Sequence, residues 1–273
     1  MTKLAGAHVL ITGGSSGIGA ATALVALQRG ARVSLVARDA GRLADAEDAL
    51  ETAVGDATRV AAEPADVTDP DALARALSLL TAQFGPVDVL VTSAGEARPG
   101  LFEGLDEPIF RQQMELNYFG TLHAIRAVLP SMIERQRGHV ALVSSTAGII
   151  GVHGYSAYSP TKFAVRGLAE TLRSELKPHG IVVTCAYPPD TDTPGLAREN
   201  EYKPAATASL SAKVKPKTAA QVGKAIVAGI EHDRLRVVAD SLTRTLALAS
   251  GIVAPLVRRT TDRHVRRVGN ATP

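Results

Sequence analysis

The chain has 273 residues, of which 45% are hydrophobic and 21% charged, so it can bury a sizeable core and does not have the composition of a disordered protein. Its single cysteine, Cys185, excludes an intramolecular disulfide. The formal net charge is +3, and residues 241–273 alone hold six arginines against one aspartate. A basic surface over the whole chain is therefore not indicated, and we expect no nucleic-acid partner.

No segment reaches the roughly 20 apolar residues that cross a bilayer. The N-terminus also lacks the basic-then-apolar pattern of a signal peptide. We therefore expect a cytoplasmic protein, and we predict no metal site.

Short β-branched runs alternate with longer Ala/Leu-rich stretches along the chain. This alternation predicts an α/β fold with a doubly wound, Rossmann-type parallel sheet of about seven strands, covered by helices on both faces in a single domain. The expected strands are residues 8–12, 32–37, 58–62, 87–92, 139–144, 181–187 and 235–239. The expected helices are residues 17–29, 40–53, 70–84, 107–136, 156–178 and 218–230. Residues 1–240 are expected to form the catalytic domain.

Two segments interrupt the alternation. Residues 188–217 are rich in proline and mostly polar, and they follow the carboxyl end of a predicted strand, where ligands of open α/β sheets bind. We predict that they form a substrate lid. Residues 241–273 form a tail that is apolar first and basic afterwards. Its residues 242–257 are expected either to lie in a membrane interface as a peripheral contact, or to form a subunit contact or a cap on the core.

A glycine-rich loop follows the first predicted strand, with the sequence Thr12-Gly13-Gly14-Ser15-Ser16-Gly17-Ile18-Gly19. Glycines let the backbone approach a pyrophosphate, and the helix that follows offers free N–H groups and the positive end of its dipole. The alternative is an ordinary tight turn. The position between the first strand and the first helix favours cofactor binding by this loop.

The end of the second predicted strand bears on the choice of cofactor. NAD-specific sites usually have an acidic residue there, whereas this chain has Arg38, with Arg42 one helical turn later. A guanidinium pair suits the 2′-phosphate of NADP(H), so we predict NADP(H) as the cofactor. The alternative is a pair of solvated surface arginines.

Two further strand ends contribute to the predicted cofactor site. Asp66 and Val67 close the third strand and are expected to meet the adenine edge. The run Ser93-Ala94-Gly95 ends the fourth strand, where small residues let the cofactor ribose come close.

The candidate catalytic residues begin with Tyr158, which Lys162 follows one turn later on the same face of a predicted helix. An unperturbed tyrosine has a pKa of about 10, and a nearby ammonium is expected to lower that pKa. Ser145 follows a strand that ends at the same crevice. The alternative is a surface cation that happens to lie near an aromatic ring.

These residues predict a carbonyl reductase. Ser145 hydrogen-bonds the substrate carbonyl, the nicotinamide delivers hydride to its carbon, and Tyr158 protonates the alkoxide. Lys162 lowers the pKa of Tyr158 and also holds the nicotinamide ribose. Asn117, within a predicted helix, is a candidate for holding a water that resupplies the proton.

Together these features resemble the short-chain dehydrogenase/reductase family over nearly the whole chain. The pair Tyr158-x-x-x-Lys162, the serine thirteen residues before the tyrosine and the glycine loop all match in kind and order. The resemblance implies the doubly wound sheet, the roles given above and a homo-oligomer, either a dimer or a tetramer. The chain departs from the family at Ser93, where an asparagine is frequent, and after the sixth strand, where Pro-Gly is usual.

The run from Pro188 to Gly195, followed by Glu199-Asn200 and Lys203-Pro204, resembles the branch of this family that reduces 3-keto sphingoid bases. The resemblance implies a small lipid-like ketone as substrate, reduced in sphingolipid synthesis. It also implies that the glycine loop, Arg38, Arg42, Asp66 and the tyrosine–lysine pair bind NADPH, with Pro188, Thr191 and Thr193 beside the nicotinamide.

Two other functions remain as alternatives. The first is a reductase or dehydrogenase of the same family that acts on a steroid, a retinoid or a fatty acyl group. The second is a cofactor-sensing protein without turnover, although such proteins typically lack the tyrosine–lysine pair.

Overall fold

The computed structural model describes residues 1–212 and 214–268, without the side chains of residues 250–252. Its strands are β1 (His8–Thr12), β2 (Arg32–Ala37), β3 (Val60–Pro64), β4 (Val89–Thr92), β5 (Gly138–Val143), β6 (Ile181–Tyr187), β7 (Thr191–Asp192), β8 (Lys217–Thr218) and β9 (Arg236–Val238). Its helices are α1 (Gly17–Gln28), α2 (Ala40–Val54), α3 (Pro70–Phe84), α4 (Glu107–Met114), α5 (Gly120–Glu134), α6 (Ser159–Glu175), α7 (Pro194–Asn200), α8 (Ala205–Ser211), α9 (Ala219–Glu231) and α10 (Ser241–Val268).

Seven of the strands form one parallel sheet in the order β3-β2-β1-β4-β5-β6-β9. The chain winds from β1 to one edge and then returns to continue from β4 towards the other edge. Two clusters of buried apolar residues cover its two faces. This confirms the predicted doubly wound α/β fold. It also places a crevice at the carboxyl ends of β1 and β4, where the strand order reverses and ligands of such sheets bind.

The helix predicted over residues 107–136 is interrupted in the structure. It consists of α4, one turn of π-helix at Glu115–Phe119, and α5. Residues 115–119 contain neither proline nor glycine, so the sequence predicts one long helix. A π turn inserts one residue into the helical repeat and is frequent at functional sites, and this turn contains Asn117.

The predicted lid, residues 188–217, has more regular structure than its composition indicates. It contains α7, α8 and the two short strands β7 and β8, which pair with each other outside the main sheet. Residue 213 lies outside the described part of the chain. Thr193 caps α7 by accepting a hydrogen bond from the N–H of Leu196 at 3.1 Å, and Pro194 occupies the first helical position.

The predicted tail begins as helix α10, whose regular geometry is broken at Ala249. Leu246 and Ala254 are buried in the main core, so this part of the tail caps the core. Leu248 and Leu256 are exposed, at 75% and 64%. Membrane contact by this helix stays a prediction. Residues 269–273 lie outside the described residues. Within residues 1–212 and 214–268, no helix is both long and apolar enough to cross a membrane.

Two of the buried side chains in the sheet, His139 and Cys185, carry ionisable groups that stay neutral. His139 in β5 is fully buried, and its ring nitrogens lie 2.8 Å from the Thr184 hydroxyl and 2.8 Å from the Thr2 hydroxyl. Burial lowers the pKa of His139 to about 4. Cys185 in β6 is also fully buried and unpaired, and burial raises the pKa of its thiol to about 12.

We expect His139 to make the protein acid-labile. Because the unfolded chain takes up a proton on this histidine near pH 6.5 and the folded chain only near pH 4, stability is full above pH 6.5 and falls as the pH decreases from 6.5 to 4. The expected loss is about 3 kcal/mol in the free energy of unfolding. Urea unfolding of wild type and His139→Gln at several pH values measures it. His232→Gln, at an exposed position, is the control and should keep the wild-type slope.

Candidate active site

The glycine loop and the end of β4 pack backbone against backbone at the crevice. Gly13 has φ +70°, a conformation that favours glycine, and a Cβ there would lie 2.7 Å from the Cα of Ala94. The N–H of Ala94 faces the Thr12 hydroxyl at 3.3 Å, and the N–H of Ser93 donates to the Thr12 carbonyl at 3.1 Å. The structure therefore brings the loop next to Ser93-Ala94-Gly95, as the sequence indicates.

Helix α1 begins at this loop with an open N-terminus. Ser16 precedes the helix in extended geometry, and its side chain makes no capping hydrogen bond. Gly19 fits only without a side chain, because a Cβ would lie 2.2 Å from the Gly13 carbonyl oxygen. The Thr193 methyl group would lie 3.0 Å from a Cβ on Gly17, so this lid residue borders the loop. Uncapped N–H groups beside such a closely packed loop suit a dinucleotide pyrophosphate.

Not every loop residue faces the crevice. Ile18 packs, partly buried, against the core on one face of the sheet. Ser15 is half-buried. The roles of these two residues in cofactor binding stay predictions.

The two arginines predicted to read the cofactor phosphate both have acidic neighbours. Arg38 lies 3.8 Å from the Asp66 carboxylate, which also accepts hydrogen bonds from the N–H and hydroxyl of Thr68. Arg42 donates to Asp39 at 2.8 Å, and Asp39 caps helix α2. Both arginine side chains remain more than half exposed, at 58% and 59%, so a phosphate could reach them from solvent.

Val67 lies next to Asp66 but points into the protein. It is buried, and its methyl group would lie 2.6 Å from a Cβ on Gly120. Its carbonyl oxygen lies 3.0 Å from Nδ1 of His123. Its contact with adenine stays a prediction, and the side chain itself packs against α5.

Ser145, Tyr158 and Lys162 meet at the carboxyl end of β5. Tyr158 immediately precedes α6, and Lys162 lies one turn into it, with its Nζ 5.7 Å from the centre of the Tyr158 ring. Ser145 begins the short turn after β5, and its hydroxyl accepts a hydrogen bond from the N–H of Ala147 at 3.1 Å. The same hydroxyl is close enough to the Tyr158 phenol to lower its pKa by hydrogen bonding.

The predicted lowering of the Tyr158 pKa by Lys162 is wrong, because the structure raises this pKa. Desolvation of the phenol raises the pKa of Tyr158 above its usual value, the Glu199 carboxylate adds to that rise, and Ser145 opposes it. Lys162 is itself buried, which lowers its pKa to about 8, and its Nζ donates to the Val143 carbonyl at 3.1 Å. Tyr158 is therefore held as a neutral phenol, which is the state that a proton donor requires.

Asn117, which belongs to the π turn, lies beside Lys162 of α6. A Cβ on Gly95 would lie 2.6 Å from the Asn117 side-chain oxygen and 3.3 Å from Lys162 Nζ, so Gly95 keeps this corner open. The Asn117 amide is fully buried and exchanges two hydrogen bonds of 3.0 Å with the backbone of Glu96. The amide thus fixes the chain after β4, and its predicted role of holding water stays a prediction.

Sequence reasoning missed Ser144, which fixes α6 to the sheet. Its buried hydroxyl donates to the Lys162 carbonyl at 2.8 Å. Gly148 lies in the same contact, since a Cβ there would come within 2.6 Å of that carbonyl. Strand β5 and helix α6 are thereby held together where Ser145 and Tyr158 meet.

Sequence reasoning also missed a charged cluster that connects the lid to the catalytic segment. The Tyr155 hydroxyl donates to Glu199 of α7, and the Tyr155 and Tyr158 rings lie 5.9 Å apart. Lys203 is 2% exposed and lies 3.2 Å from Glu199 and 3.4 Å from Asp190. Burial raises the pKa of the Glu199 carboxyl, which Tyr155 and Lys203 counteract. Lysine is mostly exposed in proteins, so its residue type alone does not predict that Lys203 is buried and ion-paired.

The remaining lid residues lie at the ends of β5 and β6. The Pro188 carbonyl accepts a hydrogen bond from the N–H of Thr146 at 3.0 Å, which joins the lid to the turn after Ser145. Thr191 is buried, and its hydroxyl donates to the Pro189 carbonyl at 2.7 Å. In the described part of the chain, no group of three or more histidine, cysteine or acidic side chains is arranged to hold a metal ion.

The chain belongs to the short-chain dehydrogenase family, because residues 7–204 match that family. It is therefore an oxidoreductase that uses a nicotinamide cofactor and acts on C=O or CH–OH groups. The family resemblance seen in the sequence is confirmed.

Among curated proteins, the chain is 46% identical over 227 residues to a 3-dehydrosphinganine reductase of Danio rerio, covering 82% of this chain and 68% of that protein. It is 44% identical to a 3-ketodihydrosphingosine reductase of Bos taurus, with the same coverages of 82% and 68%. It is 39% identical to a 3-ketodihydrosphingosine reductase of Dictyostelium discoideum, covering 93% of this chain and 80% of that one.

Solved structures agree with the fold. A levodione reductase matches with a TM-score of 0.79 and 25% identity, covering 86% of this chain and 96% of the other. A variant of actinorhodin polyketide ketoreductase with NADPH matches with a TM-score of 0.77 and 26% identity, covering 86% and 95%.

Proposed function

We propose that this enzyme uses NADPH to reduce the keto group of a 3-keto sphingoid base, which makes dihydrosphingosine. The observation that carries the proposal is the meeting of Ser145, Tyr158 and Lys162 at the crevice. The substrate is supported by relatives of 44–46% identity that are named for this reaction.

The roles of the side chains follow from their positions. NADPH supplies the hydride when it is bound. The Ser145 hydroxyl donates a hydrogen bond to the substrate carbonyl oxygen and so stabilises the negative charge that develops there. Tyr158, held neutral by desolvation, gives its phenolic proton to that oxygen, which completes the alcohol. Lys162 and Asn117 border the open corner at Gly95, where a ribose has room to approach.

The test is NADPH oxidation by purified protein with three ketones: 3-ketodihydrosphingosine, a steroid ketone and a 3-ketoacyl thioester. We expect a clear preference for the sphingoid ketone in kcat/KM. Turnover of only the steroid or the thioester would retain the chemistry but refute the substrate. NADPH binding without oxidation by any ketone would favour a cofactor sensor.

We expect Arg38→Ala to weaken NADPH roughly 10- to 100-fold and to leave NADH affinity almost unchanged, because the guanidinium would pair with the 2′-phosphate, which NADH lacks. Fluorescence titration of both cofactors measures the two dissociation constants. Arg111→Ala, an exposed arginine on α4, is the control and should change neither constant. Equal losses for NADPH and NADH would mean that Arg38 does not read the phosphate.

The proposal includes a cytoplasmic homo-oligomer that touches membranes through α10. The exposed Leu248 and Leu256, followed by the arginines at 258, 259, 263, 266 and 267, support this contact. Sedimentation with anionic and with neutral phospholipid vesicles tests it. Binding to neither vesicle would leave the helix as a core cap or subunit contact only.

A further inference from the structure

A carboxylate of the lid lies near the catalytic tyrosine and has no part in the roles given above. Glu199 of α7 accepts a hydrogen bond from the Tyr155 hydroxyl, and the Tyr155 ring lies 5.9 Å from the ring of Tyr158. The Glu199 carboxylate is close enough to raise the pKa of Tyr158. Its side chain is 17% exposed, so it is neither sealed in the core nor freely solvated.

Both partners of Glu199 use the same carboxylate oxygen. The Tyr155 hydroxyl donates to Oε1, and Lys203 Nζ lies 3.2 Å from that same atom. Within residues 1–212 and 214–268, the other oxygen, Oε2, accepts no hydrogen bond and is not fully buried. An ionised carboxylate has about four sites for donors, so Oε2 is able to receive one from a ligand.

The charges around Glu199 do not cancel. Lys203 is 2% exposed and lies 3.2 Å from Glu199 and 3.4 Å from Asp190. Two carboxylates therefore share one ammonium, which leaves one negative charge in a partly buried place. Burial raises the pKa of Glu199, which shows that its charged form is incompletely compensated. A cation of a bound ligand would complete the balance.

The proposed substrate carries a cation directly beside its reacting group. In a 3-keto sphingoid base the carbon next to the carbonyl bears an amino group, and α-amino groups are mostly protonated at pH 7. The nitrogen lies about 2.5 Å from the carbonyl carbon, as N does from C within one amino acid. With the carbonyl oxygen at Ser145 and Tyr158, this ammonium must lie in the immediate surroundings of the tyrosine.

We propose that Glu199 binds the ammonium of the substrate through Oε2 and so makes the enzyme specific for amino ketones. The inference rests on the proposed function and assigns α7 a part in substrate recognition. The contact also orients the ketone, because it fixes which of the two carbonyl substituents points towards α7. Lys203 and Tyr155 hold the carboxylate in place from its other oxygen.

The test compares 3-ketodihydrosphingosine with the same hydroxy ketone lacking the amino group, in wild type and Glu199→Gln. Glutamine keeps an oxygen that can accept from Tyr155 but carries no charge. We expect wild type to favour the amino ketone in kcat/KM, and Glu199→Gln to reduce that preference roughly 10- to 100-fold. Glu201→Gln, at an exposed position two residues later, is the matched control and should keep the wild-type preference.

Inhibition by the two product alcohols measures recognition of the amino group without the chemical step. Dihydrosphingosine keeps the ammonium, and the corresponding diol lacks it. We expect wild type to have the lower inhibition constant for dihydrosphingosine, a result that does not depend on the folding of any variant. In Glu199→Gln the two inhibition constants should become similar.

The outcomes separate the two proposals. If wild type does not reduce 3-ketodihydrosphingosine, the proposed function is wrong. If wild type reduces it but treats ligands with and without the amino group alike, the function stands and the inference is refuted. An equal loss for both ketones in Glu199→Gln would also refute the inference, because Glu199 would then only position Tyr155 and the lid.

Discussion

Replacing Tyr158 with phenylalanine is expected to lower kcat by roughly 10²- to 10⁴-fold, the usual contribution of a general acid. The substitution removes only the hydroxyl, which is the proposed proton donor and lies close to Ser145. The ring that packs 5.9 Å from Tyr155 remains, so the lid and α6 should keep their positions. The absorbance of NADPH during turnover measures the loss of kcat. Fluorescence titration should find an NADPH affinity within a few-fold of that of wild type.

Tyr202→Phe is the matched control. Tyr202 is 41% exposed and stacks under Arg98, a contact that phenylalanine retains, so its activity should stay near that of wild type. If Tyr158→Phe kept more than a tenth of the wild-type kcat, Tyr158 would not be the proton donor. A loss of NADPH binding instead of turnover would assign it to the cofactor site alone.

Gly19→Ala is expected to reduce NADPH affinity on the order of 100-fold, because the loop proposed to cradle the pyrophosphate must move. The new Cβ would lie 2.2 Å from the Gly13 carbonyl oxygen and 2.8 Å from its carbonyl carbon. Both are backbone atoms, so no side chain can rotate away to relieve the contact. Cofactor titration and thermal melting measure the effect on binding and on stability.

Gly167→Ala is the control for this substitution. Gly167 lies inside α6 with no atom within 4 Å of the added Cβ, so alanine should stabilise the helix by about 0.5–1 kcal/mol and leave NADPH affinity unchanged. Wild-type NADPH affinity in Gly19→Ala would show that the loop does not hold the cofactor.

Much of the fold was predictable because the local signals agree with the tertiary structure. The bounds of β1, β2 and β6 match the prediction, since each is a buried apolar run that ends at a turn. The π turn at Asn117 was not predictable, because residues 115–119 contain neither the proline nor the glycine that would mark a break in a helix. Helix α7 could have been found from Thr193-Pro194, a capping residue followed by proline.

The site was predictable in its members but not in its connections. Tyr158 and Lys162 share a helix face, so their spacing alone brings them together. The contact of Ser144 with the Lys162 carbonyl, and that of Glu199 with Tyr155, join residues far apart in sequence. The rise in the pKa of Tyr158 has the same origin, because it depends on burial and on a carboxylate from the lid.

Cys185 is an intrinsic probe of local opening of the sheet. Thiol reagents react with the nucleophilic thiolate, and this thiol is fully buried in β6 with its pKa raised to about 12. Labelling must therefore wait until the sheet opens to solvent at β6. As the chain has one cysteine, the labelling rate of the unmodified enzyme reports the free energy of that opening, with and without ligand.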